Sequence, residues 1–378
     1  MKKISIYCIC MVDSIHTARW LNQFQNTNFM ILLVPSHKFR RVHPQIIRLI
    51  HEAENIKFVS PYNYFPVRFL GIIDYLLFGI YTKRVQLYLR SRLLVINLFL
   101  RINYKVHALE LINAGHIAAL TKKIHKSMFL IITNWGSELY YYTRIENETV
   151  KLTWILSKAN LYSAECYRDY ELALNLGYTG KFLPCIPNGG GFSELKNRNL
   201  TKKDLILVKG YGGKFGKVLH LLPILEKILN TYLNIDIYIY SVTKDVEDKI
   251  SMLQSTFRNR LFYFTIKESL EHKKLLEIFS QAKIYIGASI SDGISTSFLE
   301  ALYYGAYPIQ TNTSCANEWI MKGYKGSVVS LELIENEVFK ILNNPKRLTK
   351  SIQHNMKMAK KDLSFDYIRQ IALKFYGN

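Results

Sequence analysis

The chain has 378 residues, with 50 Lys and Arg against 29 Asp and Glu, a formal charge of +21, and 49% hydrophobic residues. That apolar content excludes a disordered chain, and the length suffices for two domains that each bury a core. The charge calls for anionic company, whether nucleic acid, anionic lipid or phosphorylated substrates.

Met1 to Val12 is basic and then apolar, as a secretory leader is. The apolar part stops at Asp13 and no small-x-small cleavage site follows, so a first strand is expected there. Apolar runs predict further strands in the first half at Met30 to Val34, Lys57 to Ser60, Lys105 to Ala108, Met128 to Thr133, Leu161 to Ala164 and Phe182 to Ile186. In the second half they fall at Leu205 to Lys209, Ile235 to Ser241, Leu261 to Ile266, Ile284 to Ile290, Tyr307 to Gln310 and Ser327 to Ser330. Helix-like amphipathic stretches alternate with these runs, which predicts parallel α/β sheets covered on both faces. Pro184, the Pro187 to Gly191 turn and the polar Asn197 to Lys203 mark a boundary between two such units. Helical patterns at Pro345 to Lys361 and Ser364 to Phe375 close the chain.

No apolar run reaches the roughly 18 residues of a membrane-spanning helix. Cys8, Cys10, Cys166, Cys185 and Cys315 are scattered without a C-x-x-C pair, which fits buried thiols in a reducing compartment better than a metal site. Between Tyr64 and Lys105, seven basic residues (Arg68, Lys83, Arg84, Arg90, Arg92, Arg101, Lys105) and one acid, Asp74, lie among bulky apolar and aromatic side chains. Such a stretch suits a surface that rests on an anionic membrane, and equally a solvated basic face on ordinary core helices.

The most informative stretch is Ser289 to Pro308. A buried strand runs into a turn of small residues and then a helix start, a geometry that aims unpaired amides at an anion. Asp292 and Glu300 flank it, as suits a ligand with both phosphate and hydroxyls. Ser297-x-x-Glu300 also reads as a capping box, in which Glu300 would only satisfy a backbone donor. Lys209-Gly-Tyr-Gly-Gly-Lys-Phe-Gly-Lys217 puts three lysines between a strand and a helix start. Val218 after Lys217 breaks the Walker spacing, which argues against an ATPase.

The Ser289 to Pro308 block resembles the signature of retaining GT-B glycosyltransferases of the "group 1" type (family 4-like), in a form similar to bacterial surface-polysaccharide members. There a Glu, seven residues and a second Glu bind the nucleotide-sugar donor; here Asp292 replaces the first. The resemblance implies a GT-B fold, α/β with two doubly wound Rossmann-like domains facing a central cleft. It places an acceptor-side domain at 1–190, a nucleotide-sugar domain at 200–362, and a final helix at 363–378 that crosses back to the first. It gives Asp292 the sugar hydroxyls, Glu300 the ribose, and Gly293 with the amides of Ser295 and Thr296 the diphosphate. Lys209 would take the family's strand-end Arg position, and Lys217, or alternatively Lys214, its Lys position. Ser14 and His16, in a loop similar to the family's N-terminal one, would lie near acceptor or phosphate. His107 or Glu110 would hold the reacting position on the acceptor side, and Trp135 stands where the family's next turn has a His.

The implied activity is hexosyl transfer from a nucleotide sugar to a polyprenyl-diphosphate-linked saccharide, as in lipopolysaccharide O-antigen, capsule or exopolysaccharide assembly. A peripheral protein on the inner face of the plasma membrane is expected. No two aspartates are separated by one residue, so lysines rather than a metal are expected to neutralise the leaving diphosphate, and no cofactor is expected. Two other readings are a GT-B-like sugar-nucleotide epimerase, which would change free donor without an acceptor, and a basic nucleic-acid-binding protein. No compact basic-aromatic motif supports the latter, and no nucleic-acid partner is expected.

Overall fold

A computed structural model describes residues 4–101, 103–187, 189–195, 202–268 and 271–377. Most of the Asn197 to Lys203 boundary stretch lies outside the described residues. The first sheet is made of β1 (Ile4–Cys10), β2 (Phe29–Pro35), β3 (Ile56–Phe58), β4 (Tyr104–Leu109), β5 (Leu130–Thr133), β6 (Leu161–Ser163) and β7 (Lys181–Phe182), in the order β3-β2-β1-β4-β5-β6-β7. The second comprises β8 (Leu205–Lys209), β9 (Asp236–Val242), β10 (Leu261–Thr265), β11 (Ile284–Gly287), β12 (Tyr307–Thr311) and β13 (Ser327–Val329), in the order β10-β9-β8-β11-β12-β13. Neighbouring strands in both sheets pair in parallel. Strand order reverses at β1/β4 and at β8/β11, the points where doubly wound sheets open a crevice beyond their carboxyl ends.

The chain divides into two compact units, Met1–Gly191 with Ile368–Asn378, and Phe192–Tyr367. The strands read as continuous apolar runs because helices cover both faces; β1 buries Ser5 to Cys10, including the free thiols of Cys8 and Cys10. Two runs end earlier as strands than their apolarity suggests. Pro184 has no N–H to give to a ladder and the pairing of β7 stops at Phe182. Beyond β11, Ile290 leaves the ladder to donate its N–H to Phe215 O at 2.9 Å.

The helix Phe365–Gly377 belongs to the first unit from Ile368 onward. Lys105 donates to the Tyr376 carbonyl at 3.0 Å, and Arg369 donates to the carbonyls of Gln23 and Gln25 at 3.0 and 2.9 Å. Tyr376 itself packs against Phe24 and His107.

The basic, apolar stretch of the first unit sorts into core and surface. Asp74 and Arg90 are both buried and ion-paired, so the one acid cancels one of the seven bases inside the protein. Asp74 also accepts from Phe39 N–H at 2.9 Å and Tyr62 Oη at 3.2 Å, while Arg90 Nη1 donates to Pro35 O at 2.8 Å. This network ties the helices Leu70–Phe78 and Lys83–Phe99 to the end of β2. Arg68, Lys83, Arg84, Arg92 and Arg101 remain exposed. Removing one member leaves an uncompensated buried charge, so Asp74→Ala is expected to lower the unfolding free energy by about 3–5 kcal/mol. Urea denaturation followed by circular dichroism measures this, and a loss below about 1 kcal/mol would contradict the role given to the pair.

Candidate functional site

Two loops meet beyond the β8/β11 switch point. The first runs from Lys209 to Lys217, which stands at the N-cap of the helix Val218–Thr231. Its turn needs glycine twice. Gly213 has φ +64°, and a Cβ on Gly216 would lie 1.9 Å from the Tyr211 carbonyl oxygen. Gly212 and Gly213 donate their N–H groups to Thr243 Oγ1 (3.0 Å) and Asp245 Oδ2 (2.7 Å), which fixes the loop on the neighbouring strand end. A hydrogen bond with the Thr243 side chain, and next the one from Gly213 N–H, hold the Asp245 carboxyl below its usual range.

The second loop, Ala288 to Ser295, pairs with the first through backbone bonds. Gly216 and Ser289 form an antiparallel bridge, and Lys217 N–H donates to Ala288 O at 3.0 Å. From the other side Ser289 N–H donates to Thr311 Oγ1 at 3.0 Å, and Cys315 N–H to Gly293 O at 2.7 Å. Lys209 and Lys217 are half-buried, Lys214 is exposed, and Asp292 is half-buried on the paired loop. The structure therefore brings Lys209, Lys214, Lys217, Asp292 and Gly293 to one strand edge of the second unit.

The helix Thr296–Tyr304 starts from Ser295 with no side-chain cap. The capping-box reading fails here. Ser297 sits inside the first turn, where its hydroxyl accepts from Tyr240 Oη at 2.7 Å. Glu300 lies a turn further on, 3% exposed, with Oε1 held by His272 Nε2 at 3.0 Å. The first-turn amides at Ser295 and Thr296 thus lack the side-chain acceptor a capping box would bring, as an anion site requires. Beside them the hydroxyls of Ser289, Ser291 and Ser314 and Oε1 of Gln310 are buried without a hydrogen-bond partner. Buried polar atoms are rarely left so, and a hydroxyl-rich ligand would satisfy them. Sequence reasoning missed His272 and Gln310, for neither lies in a motif; only Gln310's place at a predicted strand end hinted at it.

In the first unit Ser14 caps the helix Ile15–Asn22, accepting from His16 N–H at 3.2 Å. The exposed His16 ring lies 6.0 Å from that of Trp135, whose indole N–H is buried without a partner. Strand ends of β1 and β5 thus bring His16 and Trp135 together.

The two candidates for a reacting group on this side are corrected. His107 is fully buried in β4, with Nδ1 2.8 Å from Tyr376 Oη and Nε2 2.7 Å from Thr133 Oγ1. Burial pushes its pKa down to about 3, so it is a neutral rivet for the final helix. Glu110, 3% exposed at φ +129°, accepts the N–H groups of Ile112, Asn113 and Ala114 and so caps the helix Ala114–Ile124. Neither side chain is available to a substrate. Glu138 accepts from Leu111 and Trp135 N–H groups and lies against Glu110. Burial, and next the Glu110 charge, raises the Glu138 carboxyl well above its usual range.

No family model matches the chain, and no curated protein matches it. Solved structures match its full length. They include the N-terminal domain of Candida albicans trehalose-6-phosphate phosphatase (TM-score 0.68, 10% identity, covering 100% of this chain and 97% of that one). Anabaena HepE in complex with UDP-glucose aligns with TM-score 0.68 at 9% identity over 99% of each chain. Sucrose-phosphate synthase from Thermosynechococcus elongatus gives 0.67 at 11% identity over 98% of this chain and 97% of that one. The chain has the GT-B fold.

The carboxylate pair carries its own pH signature. A carboxyl raised in the folded state contributes stability that is complete below its unfolded pKa, near 4.5, and is lost as pH rises through the folded value. Glu138→Gln keeps an acceptor for both N–H groups and removes the like charge. The variant is therefore expected to be more stable than the parent at pH 8, with the difference shrinking toward pH 4.5, as thermal denaturation across that range will show. A variant less stable at pH 8 would contradict the raised Glu138 carboxyl.

Proposed function

We propose that this chain is a retaining, metal-independent glycosyltransferase that moves a hexose from a nucleotide-diphosphate sugar to a polyprenyl-diphosphate-linked saccharide. The setting we assign is O-antigen, capsule or exopolysaccharide assembly, on the cytoplasmic face of the plasma membrane. The observation that carries this is the backbone pairing of the lysine loop with the Asp292 loop beside an uncapped helix start, at the β8/β11 switch point. The GT-B neighbours support a nucleotide-sugar donor, since HepE was solved with UDP-glucose.

In this reading the acceptor hydroxyl oxygen bonds to the anomeric carbon as its bond to the phosphate oxygen breaks. The departing phosphate oxygen takes the acceptor proton on the same face, leaving a glycoside and a nucleoside diphosphate, and no strong protein base is required. Lys209 and Lys217 stabilise the charge that grows on the phosphate, as point charges rather than a bidentate fork. Gly293 and the amides of Ser295 and Thr296 cradle the diphosphate, Asp292 holds sugar hydroxyls, and Glu300, oriented by His272, takes the ribose. The lysines do the work that a carboxylate-bound metal does elsewhere.

Thermal shift against UDP-, GDP- and dTDP-sugars identifies the donor, because a ligand at 100 times its Kd adds about 2.7 kcal/mol of stability. On that donor Lys217→Ala should lower turnover about 10² to 10³-fold with the melting temperature of the free protein unchanged. Near-parental turnover would refute the assignment.

A further inference from the structure

One edge of the second sheet is β10, which pairs with β9 and with no other strand among the described residues. Together with the residue that follows it, Leu261-Phe-Tyr-Phe-Thr-Ile266, it carries no charge and no proline. Open edges normally hold one or the other, because unpaired N–H and C=O groups invite a foreign strand. We propose that β10 pairs antiparallel with β10 of a second copy of this chain, about a two-fold axis at Tyr263, so that two sheets become one. This self-association is independent of the transferase reading.

The backbone has the right phase for that pairing. Arg260 O accepts from Ile237 N–H at 2.7 Å, and Ile266 N–H donates to Val242 O at 3.0 Å, so the even-numbered residues direct their backbone groups at β9. The register shift between Tyr263 and Thr265 is absorbed by an extra residue in β9, where Ser241 has φ +56°, and leaves the alternation of β10 intact. Tyr263 therefore turns its N–H and C=O outward. Its outward neighbours are partly engaged: Leu261 N–H donates to Phe257 O at 2.8 Å, and Thr265 N–H to Glu268 Oε2 at 3.2 Å. The accessible template is thus short and centred on Tyr263. A residue that meets its own copy across a two-fold axis exchanges both N–H···O bonds with it. An axis at Phe262 or Phe264 would instead bring to the joint backbone groups already given to β9.

The side chains agree with the same axis. Counting outward from Tyr263 sets Phe262 opposite Phe264 of the partner subunit, and the reverse. These are non-hydrogen-bonded positions, where cross-strand side chains come closest and aromatic pairs stabilise a ladder. Phe262 and Phe264 are half-buried and lie on the side of Tyr238, whose ring centre is 4.9 Å and 6.0 Å from theirs. Two such clusters would close into one aromatic ladder across the joint. Past the strand ends, the exposed Arg258 comes opposite Glu268 of the partner subunit, and Lys267 opposite the uncharged Asn259. Arg260 is withdrawn from the joint, its guanidinium donating to the carbonyls of Tyr232 and Leu229 at 2.8 and 2.6 Å. One sequence therefore supplies both halves of the match in hydrogen bonds, aromatic rings and charge, which singles out a second copy as the occupant.

Sedimentation velocity on the full chain, from about 1 µM to about 500 µM, reads the self-association constant. The parent is expected to pass from monomer to dimer across that range. Tyr263→Pro removes an outward N–H, as an edge position permits, and should stay monomeric throughout. If its melting curve shows that it does not fold, Phe264→Lys, which sets a charge at the joint, carries the same expectation. Arg258→Glu and Glu268→Arg should each weaken the dimer about tenfold, as two opposite-charge pairs become like-charge pairs. An equal mixture of those two variants should regain the parent's affinity, because each then meets its opposite. Three results would each overturn the proposal: a parent that stays monomeric to the top of the range, a dimer that the substitutions at Tyr263 and Phe264 leave intact, or charge variants that mixing does not rescue. None of these positions belongs to the proposed donor site, so nucleotide-sugar binding by the same variants tests the transferase reading separately.

Discussion

The second unit depends on one small piece of backbone pairing. The bridge between Gly216 and Ser289, with Lys217 N–H on Ala288 O, holds two strand-end loops in register. Without it Lys217 and Asp292 would sit on independent loops, each paying its own ordering entropy on meeting a ligand. The glycines follow from that pairing. Gly216 can approach the Tyr211 carbonyl because it has no Cβ, and Gly213 turns the chain at positive φ so that its N–H reaches Asp245.

Charge is distributed by the same logic of what is buried and what is left open. Asp74 and Arg90 cancel in the core and fix two helices, whereas Lys209 and Lys217 are half-buried and Lys214 is exposed. Glu300 is buried but held by His272, and Glu138 and Glu110 share a site in which backbone N–H groups offset part of their repulsion. Part of the positive charge of this strongly basic chain thus stands open on the Lys209 to Lys217 loop, where anionic ligands can reach it.

Much of this was legible from the residues. Thirteen apolar runs marked the thirteen strands found among the described residues, because parallel strands covered on both faces leave continuous apolar sequence. Strand ends were less legible, as at Ile290, where a loop partner distant in sequence captures the backbone. The site on the second unit was readable because its glycines, lysines and acids crowd into two short segments. His272 was not, since it reaches Glu300 from a separate helix. His107 misled for a related reason: a histidine on a central strand is buried whichever face it points to, and its partner Tyr376 lies 269 positions away. Glu110 was hidden by its backbone, for a positive φ at a glutamate leaves no mark in sequence.

Hydrogen–deuterium exchange with and without UDP-glucose, extended to GDP- and dTDP-sugars, addresses the central claim most directly. The expected result is slowed exchange in 209–217 and 288–297 with the donor that binds, since those amides form the paired loops and the helix start. Unchanged exchange in both segments under a nucleotide sugar that measurably binds would contradict the site.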